Sequence, residues 1–136
     1  VRLWQRRFDE AEALEKSVLE TRQRFLGPDH PWVSQTLADI GYILSFRGQC
    51  ERAIPYLERS RELNERTLGR DHSLVADPTH ILGTCLVEVG RVDEGRKRLR
   101  ETVAIFDAVG MSPEHCTYQR VLRELAEIDE KVGTGP

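Results

Sequence analysis

One short stretch constrains this chain more than any other, because it returns. Leu26-Gly27-Pro28-Asp29-His30-Pro31 is echoed 42 residues later by Leu68-Gly69-Arg70-Asp71-His72, and Val109-Gly110-Met111-Ser112-Pro113-Glu114-His115 is a looser third copy. A fixed period of this size marks stacked helical hairpins, each unable to bury its apolar face alone. The spacing predicts an all-α fold, an α-α superhelix of about six helices in antiparallel pairs with a right-handed wind. It forms one domain, residues 1–136. Within it, residues 1–27 end a truncated repeat, 28–69 and 70–110 are repeats, 111–133 form a capping helix and 134–136 a frayed tail.

The period places the helices. Val1 to Gln5 reads as the last turn of an earlier helix, with Trp4 one period before Phe46. A first full helix runs from about Phe8 to Leu26, its Asp9-Glu10 start complementing the positive end of the helix dipole. Phe8, Ala11, Leu14, Val18 and Phe25 recur at helical spacing as its buried stripe. Gly27 is the C-cap, since glycine takes φ > 0 without penalty. Pro31 opens the next helix where its missing N–H costs little, with Asp29 as cap or near-cap. Val33, Leu37, Ile40, Gly41 and Leu44 form that helix's apolar face, and Gly48 ends it. The partner, about Gln49 to Leu68, turns Ala53, Leu57, Ser60 and Leu63 inward.

One period on, Leu82, Gly83, Leu86 and Gly90 stand for Ile40, Gly41, Leu44 and Gly48. A helix-interior glycine costs about 1 kcal/mol relative to alanine. Two at one register predict a helix contact with no room for a Cβ. The following helix, about Val92 to Val109, carries Gly95 where Ala53 stands, which predicts the locally least stable helix. Pro78 fits a distorted helix from Ser73 or a shorter one capped by Asp77, and the repeat length favours the first. The last helix is expected from Ser112 as N-cap to about Val132, with Leu122, Leu125 and Ala126 matching Leu37, Ile40 and Gly41 after a one-residue insertion.

Composition excludes several functions. With 39% hydrophobic and 32% charged residues the chain reads as a helical protein with solvated faces, and a net charge of −3 argues against nucleic-acid binding. No apolar run approaches the length needed to span a bilayer. The opening Val1 reads as the start of a processed or excised piece. Cys50, Cys85 and Cys116 are far apart and odd in number, which predicts three reduced thiols in a reducing, cytoplasmic setting. His30, His72 and His115 lie a repeat apart, so stacking separates them by about 10 Å or more. Zinc ligands sit about 2 Å from one ion, so these histidines read as turn and capping groups. No nucleophile–base pair shares a helix face, and no glycine-rich phosphate loop follows a strand. The chain is therefore expected to be no enzyme and to need no cofactor.

The period, the helix pairs and the small residues resemble the tetratricopeptide repeat. The 42-residue length and the Leu-Gly-Pro-Asp-His-Pro linker are similar to the kinesin-light-chain-like subtype. The family's small residue midway along helix A stands here as Gly41, Gly83 and Ala126, and that early in helix B as Ala11, Ala53 and Gly95. The bulky residue four positions on is Leu57 and Leu99, but Glu15 breaks it; the later alanine is replaced by Val18, Ser60 and Thr102. The subtype's Asn-Asn pair is Ala38-Asp39, His80-Ile81 and Arg123-Glu124 here, so both asparagines are absent in every copy.

The resemblance implies a protein–protein interaction scaffold that binds a peptide or helix in its concave groove. It assigns that groove to Gln35, Asp39, Tyr42 and Phe46, then His80, Ile81, Thr84 and Glu88, then Arg120, Arg123 and Glu124. Trp4, equivalent to Phe46, is expected beside it; a plainer reading has those two rings packing only on each other. A second functional reading is a regulatory or oligomerising segment of a larger multidomain protein, contacting through its solenoid ends. The expected partner is a protein or peptide, or a second copy, with neither nucleic acid nor membrane involved.

Overall fold

The computed structural model describes residues 2–133, and Val1 and the tail 134–136 lie outside them. Six helices follow one another: α1 Arg2–Leu26, α2 Pro31–Phe46, α3 Cys50–Leu68, α4 Ser73–Glu88, α5 Val92–Ala108 and α6 Cys116–Gly133. No strand occurs among the described residues. Each helix packs on the next, and α2 also meets α4, which is the contact pattern of stacked hairpins.

The recurring linker works through its histidine. Nδ1 of His30, His72 and His115 accepts the backbone N–H two residues on, from Trp32, Leu74 and Thr117, each at 3.1 Å. Those donors open a helix and have no intrahelical acceptor. The cap before α2 is thus His30 rather than Asp29, whose carboxylate pairs with Arg59 and Arg66 of α3. For the same reason α6 starts at Cys116, after His115, and not behind Ser112. At the other end of α2, Gly48 takes φ +76° and lets Gln49 N–H reach back to Leu44 at 2.8 Å. That closes the helix with a six-to-one bond and satisfies a carbonyl that would otherwise lack a donor.

The helix α1 departs from expectation. It runs unbroken from Arg2, so Trp4 shares a helix with Phe8 and does not end an earlier one. Leu14 and Phe25 are 64% and 77% exposed, which removes them from the predicted stripe. The inner face holds Phe8, Ala11, Val18 and Leu19, together with a buried Glu12. Glu12 accepts from Arg47 at 3.1 Å and Arg52 at 2.8 Å, tying α1 to the turn between α2 and α3. A charge can be buried there because it is paired.

Ile40 and Leu44 of α2, Leu57 of α3 and Leu82 and Leu86 of α4 form the central core. A second cluster joins Leu99, Ile105 and Phe106 of α5 to Tyr118, Val121 and Ile128 of α6. Leu122 and Ala126 are exposed, because no helix follows α6 among the described residues. The glycines sit where helices touch. A Cβ on Gly41 would come within 2.6 Å of the Leu57 side chain, and one on Gly95 within 2.7 Å of the Gly83 carbonyl. Gly95 is therefore a contact residue that lets α5 approach α4, which gives its presence in a helix a structural reason.

Pro78 lies inside α4, as the repeat length implies, and leaves the carbonyl of Leu74 without its usual donor. Asn64 of α3 supplies one: its Nδ2 donates to Leu74 O at 2.8 Å, while its Oδ1 accepts from Ser34 of α2 at 2.7 Å. One amide thus links three helices. The cysteine expectation is overturned. Cys50 and Cys85 form a disulfide with Cα atoms 5.0 Å apart, and Cys116 is free and exposed. Stacking α3 on α4 brings together two thiols 35 residues apart. The cysteine pattern no longer argues for a reducing compartment.

Candidate functional site

The helices α2, α4 and α6 occupy the same place in successive hairpins, and their free flanks form a groove. One hollow of about 380 Å³ gathers Tyr42 and Phe46 from α2, His80 and Ile81 from α4 and Arg120 from α6. Ser45, Asp77 and Thr117 complete its wall. Its aromatic end is open, with Phe46 76% exposed. Tyr42 is half-buried, and its hydroxyl is pushed well above the ordinary tyrosine range by burial, then by the charges of Asp77 and Asp39. It stays a neutral donor at physiological pH.

The groove continues into a second hollow of about 430 Å³ lined by Thr84 and Glu88 of α4 and Glu124 of α6, among others. Between the two hollows runs a polar tie. His80, only 6% exposed, places Nε2 3.1 Å from Glu124 Oε1, and Thr84 Oγ1 donates to Glu124 Oε2 at 2.8 Å. Burial would raise the Glu124 carboxyl, but the hydrogen bonds from His80 and Thr84 outweigh it and hold it below the usual range. These three side chains therefore link α4 to α6 as well as face the groove.

The remaining predicted residues stand apart. Gln35 and Arg123 are exposed and line neither hollow. Asp39 is half-buried against α1, and its carboxyl is raised by burial and by Glu15, with Arg22 opposing. Trp4 and Phe46 each meet the ring of Phe8. Phe8 sits between them, its ring centroid 6.1 Å from Trp4 and 5.6 Å from Phe46. Sequence reasoning missed Phe8, Asn64 and Glu12 as junction residues. Only Phe8 carried a signal, its helical spacing from Trp4.

Stacked helix pairs with an inner groove define a class, the α-α solenoid used as a protein-interaction scaffold. The sequence says which solenoid. The tetratricopeptide repeat profile matches residues 1–66 and again 38–108, so the chain belongs to the tetratricopeptide repeat family. Among solved structures, the nearly identical TPR-like repeats of a protein assigned as a kinesin light chain from Podosopora anserina superpose with a TM-score of 0.83 at 25% identity. That match covers 97% of this chain and 63% of the other. A single-substitution variant of the same repeats gives a TM-score of 0.80 at 25% identity, over 93% and 60% of the two chains. BtubC (BKLC) from P. vanneervenii, at 18% identity, shares the fold with a TM-score of 0.83 over 93% of this chain and 50% of its own. The chain thus spans less than two thirds of the solved chains it matches. No curated protein matches the sequence. Among the described residues no helix is long and apolar enough to cross a membrane.

Proposed function

We propose that the chain is a non-catalytic scaffold that holds a peptide or helix from a partner protein in its concave groove. The observation that carries this reading is the convergence of Tyr42, Phe46, His80, Ile81 and Arg120, from three separate helices, on one open hollow. Aromatic and arginine side chains are the usual anchors of protein interfaces. An apolar side chain of the partner packs on Tyr42 and Phe46, and its charged flank reaches Arg120. Family membership supports the scaffold role in general terms. The test is to capture partners with the intact protein and titrate each against a Tyr42→Ala, Phe46→Ala double variant. A loss of about tenfold or more in affinity is expected, roughly 1.4 kcal/mol. A folded double variant that binds as tightly as the parent sinks the groove reading.

A second reading has its own observation. Leu3, Trp4 and Leu14 on α1 and Leu122 and Val132 on α6 are exposed apolar residues at the two ends of the stack. In this reading the ends contact other domains or a second copy.

A further inference from the structure

The two junctions between successive hairpins are not alike. At the first, Tyr42 and Ile81 pack on the central core and Cys50 is bonded to Cys85. One repeat on, these positions are held by Thr84, Glu124, Val92 and Ile128. Thr84 is far smaller than Tyr42, and Val92 and Ile128 are not bonded. The second junction is left open as the hollow of about 430 Å³, within the size range of sites that enclose an apolar group. Its floor is Val87, Val92, Leu99 and Ile128, with Val132 at the mouth.

The rim is acidic. Glu88 and Glu127 are exposed and Glu124 stands in the wall, against Lys131 alone of opposite sign. Complementary charge at a rim selects the partner and speeds encounter. We infer that this hollow is a specificity socket for one large apolar side chain, branched or aromatic, carried by a protein segment with lysine or arginine next to it. The inference rests on the groove reading above but adds what it leaves open, the chemistry of the partner.

The test is selection of a random dodecapeptide library displayed on phage against the whole chain. Enriched peptides should carry a large apolar residue flanked by Lys or Arg. Two variants close the socket: Thr84→Tyr restores the side chain of the first junction, and Val132→Trp blocks the mouth from an exposed position. Both should remove the enrichment with the helical melting transition retained, and Glu88→Lys with Glu127→Lys should shift selection toward acidic flanks. Acidic or charge-indifferent winners, no winners, or winners unaffected by both closing variants would overturn the inference. So would a chain that dimerises alone and becomes monomeric on Trp4→Glu, because the socket would then be filled by Leu3 and Trp4 of a second copy. Tyr42→Ala with Phe46→Ala leaves the socket intact. Loss of selection there but not with Thr84→Tyr supports the aromatic hollow and defeats the socket; the converse defeats only the aromatic hollow.

Discussion

Gly95 puts two physical effects in direct opposition. Helix propensity favours alanine over glycine by about 1 kcal/mol. Against that, a Cβ here would meet the Gly83 carbonyl at 2.7 Å, and a backbone atom cannot move aside as a side-chain tip can. Overpacking should win: Gly95→Ala is expected to lower stability by about 1–3 kcal/mol in urea denaturation, and a gain in stability would show that α5 does not approach α4 so closely. Asp39 offers a test of opposite character. Its carboxyl is raised by burial first and by Glu15 second, so the folded chain holds this proton more tightly than the unfolded one. Ionising it costs stability, and that cost is complete once pH has risen through the raised folded value. Asp39→Asn should therefore raise the melting temperature at pH 7, with the gap closing as pH falls below the ordinary 3.8. An unchanged melting temperature at pH 7 contradicts the environment described. Gly41 and Gly83 were legible from the sequence because they recur at one register. Asn64 was not, since the carbonyl and hydroxyl it satisfies belong to other helices. The histidines were legible as turn and capping groups of the recurring linker, while Asp29 and Ser112, residue types far commoner at N-caps, stood as the candidates before α2 and α6.

The elements inherit their limits from the repeat. Five of the six helices fell where the 42-residue period put them to within a few residues, because α2, α4 and α6 open behind a capping histidine and α3 and α5 each lie between two glycines. The first helix escaped that logic. Its continuity through Gln5 depends on no linker being present, and the repeat had suggested one. The disulfide escaped as well, since nothing local pairs Cys50 with Cys85; the register of α3 on α4 does. That pairing predicts one free thiol, Cys116, when the unreduced chain is unfolded and titrated with Ellman's reagent, and three after reduction. Closing a loop of 35 residues should make the oxidised chain more stable by about 2–4 kcal/mol. Three thiols before reduction, or equal denaturation midpoints in both forms, would show that the bond does not form.

At the scale of the whole molecule, the groove is a consequence of stacking. Helices α2, α4 and α6 lie in one layer because each hairpin repeats the last, and so their free flanks converge. The family pattern was enough to name Tyr42, Phe46, His80, Ile81 and Arg120 together. It could not show that the second junction is open, because the volume arises from a difference between copies, Tyr42 against Thr84. Nor could it show that His80 and Glu124 spend part of their bonding capacity on each other. The proposed groove holds partners on this inner layer and not at the ends of the stack. Hydrogen–deuterium exchange with and without a captured partner measures this directly. Binding in the groove should give new protection along α2, α4 and α6 with the N-terminal half of α1 unchanged; protection confined to α1 and the exposed outer face of α6 around Leu122 would contradict it.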